Sequence, residues 1–262
     1  MHFENLIEQV NKGLTGLSFP QNWCQGRTAF GGLSAAMLYR AMANQISDAR
    51  KVLSLSTNFV GPLYAEIPFN IEVTVLRQGK NASQIQASII QNDEVKVISL
   101  GSFAVDRESN VIINNQVTTK LSQPNERNIM PYIEGITPEF FQHMAFDIHK
   151  GDMPFSNSKN HELAGWMKLK KQPESMTIEL LIALTDAWPP AQLQMFTQPA
   201  PASSMSWYLE FVPTKTFTKS LWLGFEAFTH FSAQGYACEE ANIYTSQGDL
   251  VAMSRQTVAL FN

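Results

Sequence analysis

Apolar and polar positions along this chain follow two periods in turn, and the succession of periods occurs twice. Apolar residues crowd the segment from Phe30 to Ile46, which opens with Gly31-Gly32, and the segment from Met176 to Trp188, which Pro189-Pro190 closes. Stretches of that length and content predict buried helices, the second ending near Trp188 because prolines stop it. Strand-like runs follow each helix. After the first come Val52–Val60, Ile67–Arg77, Ala82–Gln91 and Val95–Val105; after the second, Ser203–Val212, Leu221–His230, Tyr236–Thr245 and Leu250–Phe261. Period-two alternation is cleanest where Ile67, Phe69, Ile71, Val73 and Val75 share one face, and Leu221, Leu223, Phe225 and Ala227 alternate again.

The two halves match element for element. Asn92-Asp93 and Gln247-Gly248-Asp249 are hairpin-type turns placed before the last strand of each half. Aligning Val95 with Leu250 sets Ser99 on Ser254 and Gly101 on Gln256. One copy has bare backbone where the other carries an amide, so a duplicated unit whose second copy keeps polar chemistry is expected. The chain divides into a first unit at 1–107, a connector at 108–138 rich in Asn, Gln, Thr and Pro, and a second unit at 139–262. Phe140–Ile148 and His161–Leu169 read as opening strands of the second unit. A long helix followed by antiparallel strands must bury the helix on a sheet face. The expected class is therefore α+β, with two long helices wrapped by one continuous antiparallel sheet.

Composition narrows the function. With 44% hydrophobic and 16% charged residues the chain supports a sizeable core, and a net charge of -4 without a basic stripe argues against nucleic-acid binding. No apolar stretch reaches the length of a membrane span, and the acidic start MHFENLIEQVNKGL does not have the form of a signal peptide. Cys24 and Cys238 lie far apart without metal-type spacing, which fits a reducing cytoplasmic setting.

Asp186 is the carboxylate in the most costly place. At the end of the second apolar helix it faces the negative end of that helix's dipole with little water near it, and both effects disfavour ionisation. That suits a general base, or equally an Asp bonded to a donor at the helix end. Cys24 and Cys238 have no His nearby in sequence; His2, His143, His149, His161 and His230 show no metal spacing; and no G-x-S-x-G elbow, P-loop or dinucleotide fingerprint occurs. Phe140-Phe141, Trp222 and the many Met residues either line a tunnel or fill the core.

Six segments stand in fixed order: Thr28-Ala29-Phe30-Gly31-Gly32, Ser54–Pro62, His161–Leu169 with Trp166, Leu184–Pro190, Ser203–Pro213 and Met253-Ser254-Arg255-Gln256. Together they resemble the TesB-like acyl-CoA thioesterase II group of the thioesterase-like superfamily. The resemblance covers nearly the whole chain. It implies a double hotdog fold and hydrolysis of acyl-CoA to free acid and CoA, with no cofactor or metal. In that family an Asp on the second helix, a Thr or Ser on the next strand and a Gln on the last strand hold the hydrolytic water; these fall on Asp186, Ser204 and Gln256. Ser56 stands where some members carry a His. Phe30, Gly31 and Gly32 fall where backbone N–H groups at a helix start can bind substrate or an oxyanion.

Parity supports Gln256, which shares a face with Ala252, Val258 and Leu260. Ser204 alternates with Met205, Trp207, Leu209 and Phe211, so a regular strand would point it away from the apolar face; either that other face lines the site or a bulge turns the residue. The alternative function is a non-catalytic acyl or acyl-CoA binding protein on the same fold. A hotdog hydratase would want an Asp/His pair that is not evident near Asp186. Exposed sheet edges and faces predict a homodimer, and acyl-CoA is the expected small-molecule partner.

Overall fold

The computed structural model describes residues 1–46, 49–113, 117–125, 129–212 and 221–261. Parts of the predicted connector (114–116 and 126–128) and Pro213 lie outside them. In chain order the elements are α1 (Phe3–Lys12), β1 (Cys24–Gln25), β2 (Thr28–Ala29), α2 (Gly31–Ala43), β3 (Lys51–Phe59), β4 (Asn70–Gln78), β5 (Ala82–Gln91) and β6 (Glu94–Ala104). There follow β7 (Met144–Lys150), β8 (Glu162–Leu169), α3 (Ile178–Thr185), β9 (Ala202–Phe211), β10 (Leu223–Ala233), β11 (Tyr236–Thr245) and β12 (Leu250–Leu260). None of the helices among the described residues is long and apolar enough to cross a membrane.

Packing divides the chain into two compact units: Met1–Ile112 with Ile133–Gln142 and Thr177–Asp186, and Ile113–Tyr132 with His143–Met176 and Ala187–Asn262. In the first, β4, β5, β6 and β3 lie side by side, antiparallel, and α2 packs against all of them. Leu33, Ala35, Ala36, Met37, Leu38, Ala41 and Met42 are buried, so α2 is apolar nearly all round, as a helix must be when it has neighbours on every side. One such neighbour is α3, and across their contact the Arg40 guanidinium is paired with the buried Glu179 carboxylate. The amphipathic α1 also packs on α2, burying Phe3, Leu6, Ile7 and Val10. The helical spacing of those four residues is legible in the sequence, and α1 is an element beyond those predicted.

In the second unit the strand order is β9, β12, β11, β10, β8, β7, again antiparallel. Its first four strands repeat the order of the first unit: β3, β6, β5, β4 correspond to β9, β12, β11, β10. The expected duplication is therefore present in the hydrogen-bonding order. Ser99 and Ser254, aligned in the sequence, are both buried; Ser99 bonds the Thr57 hydroxyl at 2.8 Å and Ser254 accepts from Trp207 Nε1 at 2.8 Å.

Three expectations need correction. The second apolar helix is two turns long and ends at Thr185, not near Trp188, with Asp186 as its C-cap at φ -86°, ψ 0°. Trp188 precedes proline and is held away from helical backbone angles, and the restriction is felt a turn earlier. The segment Phe140–Ile148 opens as a 3-10 turn at Glu139–His143, so its strand starts only at Met144. The strand predicted from Ile67 begins only at Asn70 as β4, and of the alternating set only Phe69 and Ile71 are buried while Ile67 and Val75 are exposed, because β4 is an edge strand that extends beyond the core.

Candidate functional site

In the first unit the half-buried Asp186 stands against the amino-terminal turn of α2. A methyl group built on Gly31 would lie 2.8 Å from Asp186 Oδ2 and 3.0 Å from the Phe59 ring; one on Gly32 would lie 2.8 Å from the Ala183 carbonyl oxygen and 2.9 Å from Asp186 Cβ. Gly32 is thus required for the approach of α3 to α2, whereas Gly31 leaves room for the Asp186 carboxylate and the Phe59 ring. The first N–H groups of α2 have no partner within their own helix, and they form the positive end of its dipole. The sequence predicts for Asp186 only the negative end of its own helix. The structure adds the amino-terminal turn of α2 beside it. Phe30 is the N-cap, and its ring stacks on Phe140 at a centroid distance of 4.1 Å. Phe30 and Phe140 are both core residues here.

In the second unit Ser204 and Gln256 come together: Ser204 Oγ donates to Gln256 Oε1 at 3.3 Å. The parity conflict is resolved by a β-bulge. Thr257 pairs with Ser206 but Val258 pairs with Ser204, so Met205 is the extra residue on β9. Beyond the bulge Ser204 faces the same way as Val258, Gln256 and Trp207, and Met205 is turned to solvent.

A further polar group lies on that face. Glu239 on β11 is the direct cross-strand partner of Gln256 on β12, and Thr229 on β10 is the partner of Glu239. Glu239 is 8% exposed; its Oε2 accepts from the Ala191 N–H at 2.6 Å and lies 3.4 Å from the Thr229 hydroxyl. Burial pushes its carboxyl up from 4.5 to about 7, against the lowering effect of the bonds from Ala191 and Thr229. The same hydroxyl lies 2.9 Å from Gln192 Oε1, and Gln192 Nε2 is buried without a hydrogen-bond partner among the described residues. Sequence reasoning missed Glu239 although its signal is present. It sits in period-two register with Ala237, Ala241 and Ile243, all buried.

The remaining candidates have other duties. Cys24 is buried, and its thiol is pushed up to about 11 by burial first and then by Glu66 and Glu139, which rules it out as a thiolate nucleophile near neutrality. His149 bridges Asp147 and Ser122, each at 3.1 Å, while Asp147 also accepts the Asn125 N–H and Trp166 donates to the Ser122 carbonyl. Together these bonds fasten the described part of the connector to β7 and β8. Trp222 packs with Ala145 and Trp166 in a core cluster.

The family model of the acyl-CoA thioesterase N-terminal domain matches residues 19–104, and that of the acyl-CoA thioesterase C-terminal domain matches 120–260. No curated protein matches the chain. Among solved structures it is similar to a hot dog fold protein of unknown function from Alicyclobacillus acidocaldarius, at 20% identity and TM-score 0.80, covering 95% of this chain and 94% of that one. It is similar also to the tesB protein of Mycobacterium avium subs paratuberculosis (16% identity, TM-score 0.78, 100% of both chains). The acyl-CoA thioesterase II TesB2 of Mycobacterium marinum gives 18% identity and TM-score 0.76 over 100% of this chain and 99% of that one. With its strand order duplicated and family models spanning both copies, the chain belongs to the acyl-CoA thioesterase family and is a thioesterase of double hotdog fold.

Proposed function

We propose that the protein hydrolyses acyl-CoA thioesters to free acid and CoA using a water deprotonated by Asp186 and oriented by Ser204 and Gln256. Thioester hydrolysis needs a base, acceptors that fix the water's second hydrogen, and donors for the developing oxyanion. Asp186 takes one proton as the water oxygen bonds to the thioester carbonyl carbon. Gln256 Oε1 and Ser204 Oγ retain lone pairs for the second hydrogen after their mutual bond is made. The N–H groups of Gly31 and Gly32 carry the oxyanion. When the tetrahedral intermediate collapses, the C–S bond breaks and the proton on Asp186 passes to the leaving sulfur.

The observation that carries this assignment is the Ser204–Gln256 bond, made possible by the bulge at Met205. It removes the parity objection that favours a non-catalytic acyl-CoA binder. Two finer points accompany the proposal. The exposed free Cys238 suits a reducing, cytoplasmic location, and the edge strand β4, with Val75 and Leu76 exposed, suits a homodimer that light scattering would register.

The test is CoA release from a panel of acyl-CoA substrates by wild type and Asp186→Asn. Loss of turnover on the order of a thousandfold with substrate binding retained is the expected result. Undiminished turnover in the variant would remove Asp186 as base, and ligand-induced thermal stabilisation of the wild type without any CoA release would instead establish the binding protein.

A further inference from the structure

The two copies provide an internal control for the polar row in the second. Aligned through Val95 and Leu250, Gly101 corresponds to Gln256. The strand register then sets Ile85 opposite Gly101 where Glu239 stands opposite Gln256, and Val75 opposite Ile85 where Thr229 stands opposite Glu239. Even the irregularities correspond: β3 has its extra residue at Leu53 where β9 has Met205, so Val52 takes the place of Ser204. β4 has Leu76 where β10 has His230. The first copy thus runs Val52, Gly101, Ile85 and Val75 through positions that the second fills with Ser204, Gln256, Glu239 and Thr229. The fold is satisfied by an apolar row. A carboxylate buried there without a cation is costly, so the fold alone does not account for Glu239.

We propose that Glu239 is a positioning residue for hydrolysis: its carboxylate, anchored by the Ala191 N–H, sets which end of the Gln256 carboxamide faces Ser204 and the water. This rests on the role given to Gln256 above. Cross-strand partners bring their Cβ atoms to about 5 Å, within reach of one another's side chains. An ionised carboxylate only accepts hydrogen bonds, so it draws the Nε2 end of Gln256 toward itself and leaves Oε1 for the Ser204 hydroxyl and the water. A protonated Glu239 can donate to Oε1 and compete for it, so the fraction of correctly turned amide follows Glu239 ionisation.

The groups around Glu239 leave it as the titrating member of the row. Its cross-strand neighbours are Thr229 on β10 and Gln256 on β12. The 3-10 turn at Ala191–Met195 brings the Ala191 N–H to Glu239 and Gln192 to the Thr229 hydroxyl, while Gln194 bonds Asp152, Glu162 and Ala191 backbone instead. His161 reaches the Thr229 carbonyl and not its hydroxyl. The neighbouring charges, His230, Glu240 and Arg255, bond one another on the opposite face of the sheet, at 3.0 and 3.2 Å.

The test is the pH profile of kcat/KM for acyl-CoA hydrolysis in wild type, Glu239→Gln and Glu239→Asp, with Asp186→Asn alongside. Gln keeps an acceptor for the Ala191 N–H, so a purely structural role survives that change. Expected are a wild-type inflection near neutrality with activity rising as Glu239 ionises, its disappearance in Glu239→Gln, a fall in kcat of roughly tenfold with KM changed by less than about twofold, and a return of the inflection in Glu239→Asp. Glu239→Gln with wild-type kcat and an intact inflection, or with uniform loss at every pH and the inflection retained, overturns the proposal while a dead Asp186→Asn leaves the base assignment standing. A fully active Asp186→Asn would instead remove the reading on which it rests.

Discussion

Gly31 and Gly32 are neighbours in the first turn of α2, yet substituting alanine at each should do different damage. At Gly32 the new methyl would sit 2.7 Å from the Phe30 ring, 2.8 Å from the Ala183 carbonyl oxygen and 2.9 Å from Asp186 Cβ. None of these yields easily: the ring is stacked on Phe140 at 4.1 Å, and the carbonyl is helix backbone. α3 must therefore shift from α2 by several tenths of an ångström. Such overpacking costs about 1–3 kcal/mol, of which alanine's better helix propensity returns up to about 1, so a net loss of about 1–2 kcal/mol is expected. At Gly31 the methyl meets the tip of the Asp186 carboxylate at 2.8 Å and the Phe59 ring at 3.0 Å, and both are ends of side chains that can swing. Stability should then change by less than about 1 kcal/mol, but the base proposed above is displaced, and on that proposal a misplacement of about 1 Å costs on the order of a hundredfold in kcat. Urea midpoints followed by tryptophan fluorescence, together with kcat from CoA release, separate the two. A Gly32→Ala protein as stable as wild type, or a Gly31→Ala protein with undiminished kcat, would refute the packing argument.

Two further outcomes concern buried charges. Glu179→Ala leaves the Arg40 guanidinium, 32% exposed, at the α2–α3 contact without its carboxylate, and its Nε is already buried without a hydrogen bond among the described residues; a loss of about 1–2 kcal/mol, read from the urea midpoint, is expected. Because Glu239 holds its proton up to about 7 when folded but only to 4.5 when hydrated in the unfolded chain, the folded protein binds the extra proton between these values. Stability should therefore fall as pH rises through that window, by about 3 kcal/mol from this group alone. Urea midpoints at about pH 5 and about pH 8 should converge for Glu239→Gln relative to wild type, and an equal drop in both proteins would count against a buried acid at this position.

Much of this architecture is legible in the sequence because the driving patterns are simple. Tyr236–Thr245 and Ala82–Gln91 occur at the limits that alternation and turn residues set, and the duplicated strand order follows from two matching series of elements. The end of α3 is not legible, since an apolar run does not mark where the backbone stops being helical; only Pro189 acts, and it acts from a distance. The bulge at Met205 is not legible either. An inserted residue that slips a strand's parity carries no composition of its own, and Ser203–Phe211 alternates as well on paper in the wrong register as in the right one.

The difference between the copies then acquires a physical meaning. At Gly101 a methyl group would lie 2.7 Å from the Phe103 ring and 3.2 Å from the Met42 sulfur, so in the first copy side chains fill the space that a residue like Gln256 would need. Phe103 stands one strand step from Gly101, as Val258 does from Gln256, and the smaller valine leaves room for the amide and for Ser204 beside it. A functional row in the first copy would therefore require more than Gly101→Gln. It would also need Phe103 reduced, Val52 made polar and a carboxylate at Ile85, and each of these alone places an unpaired polar group or a cavity in the core at about 1–3 kcal/mol. Two apolar rows would leave the amide nowhere to turn, and two polar rows would incur that desolvation twice. One copy packed tight and one left polar incurs that desolvation once and keeps space for the amide beside Ser204, which is what the hydrolytic role proposed for Gln256 requires.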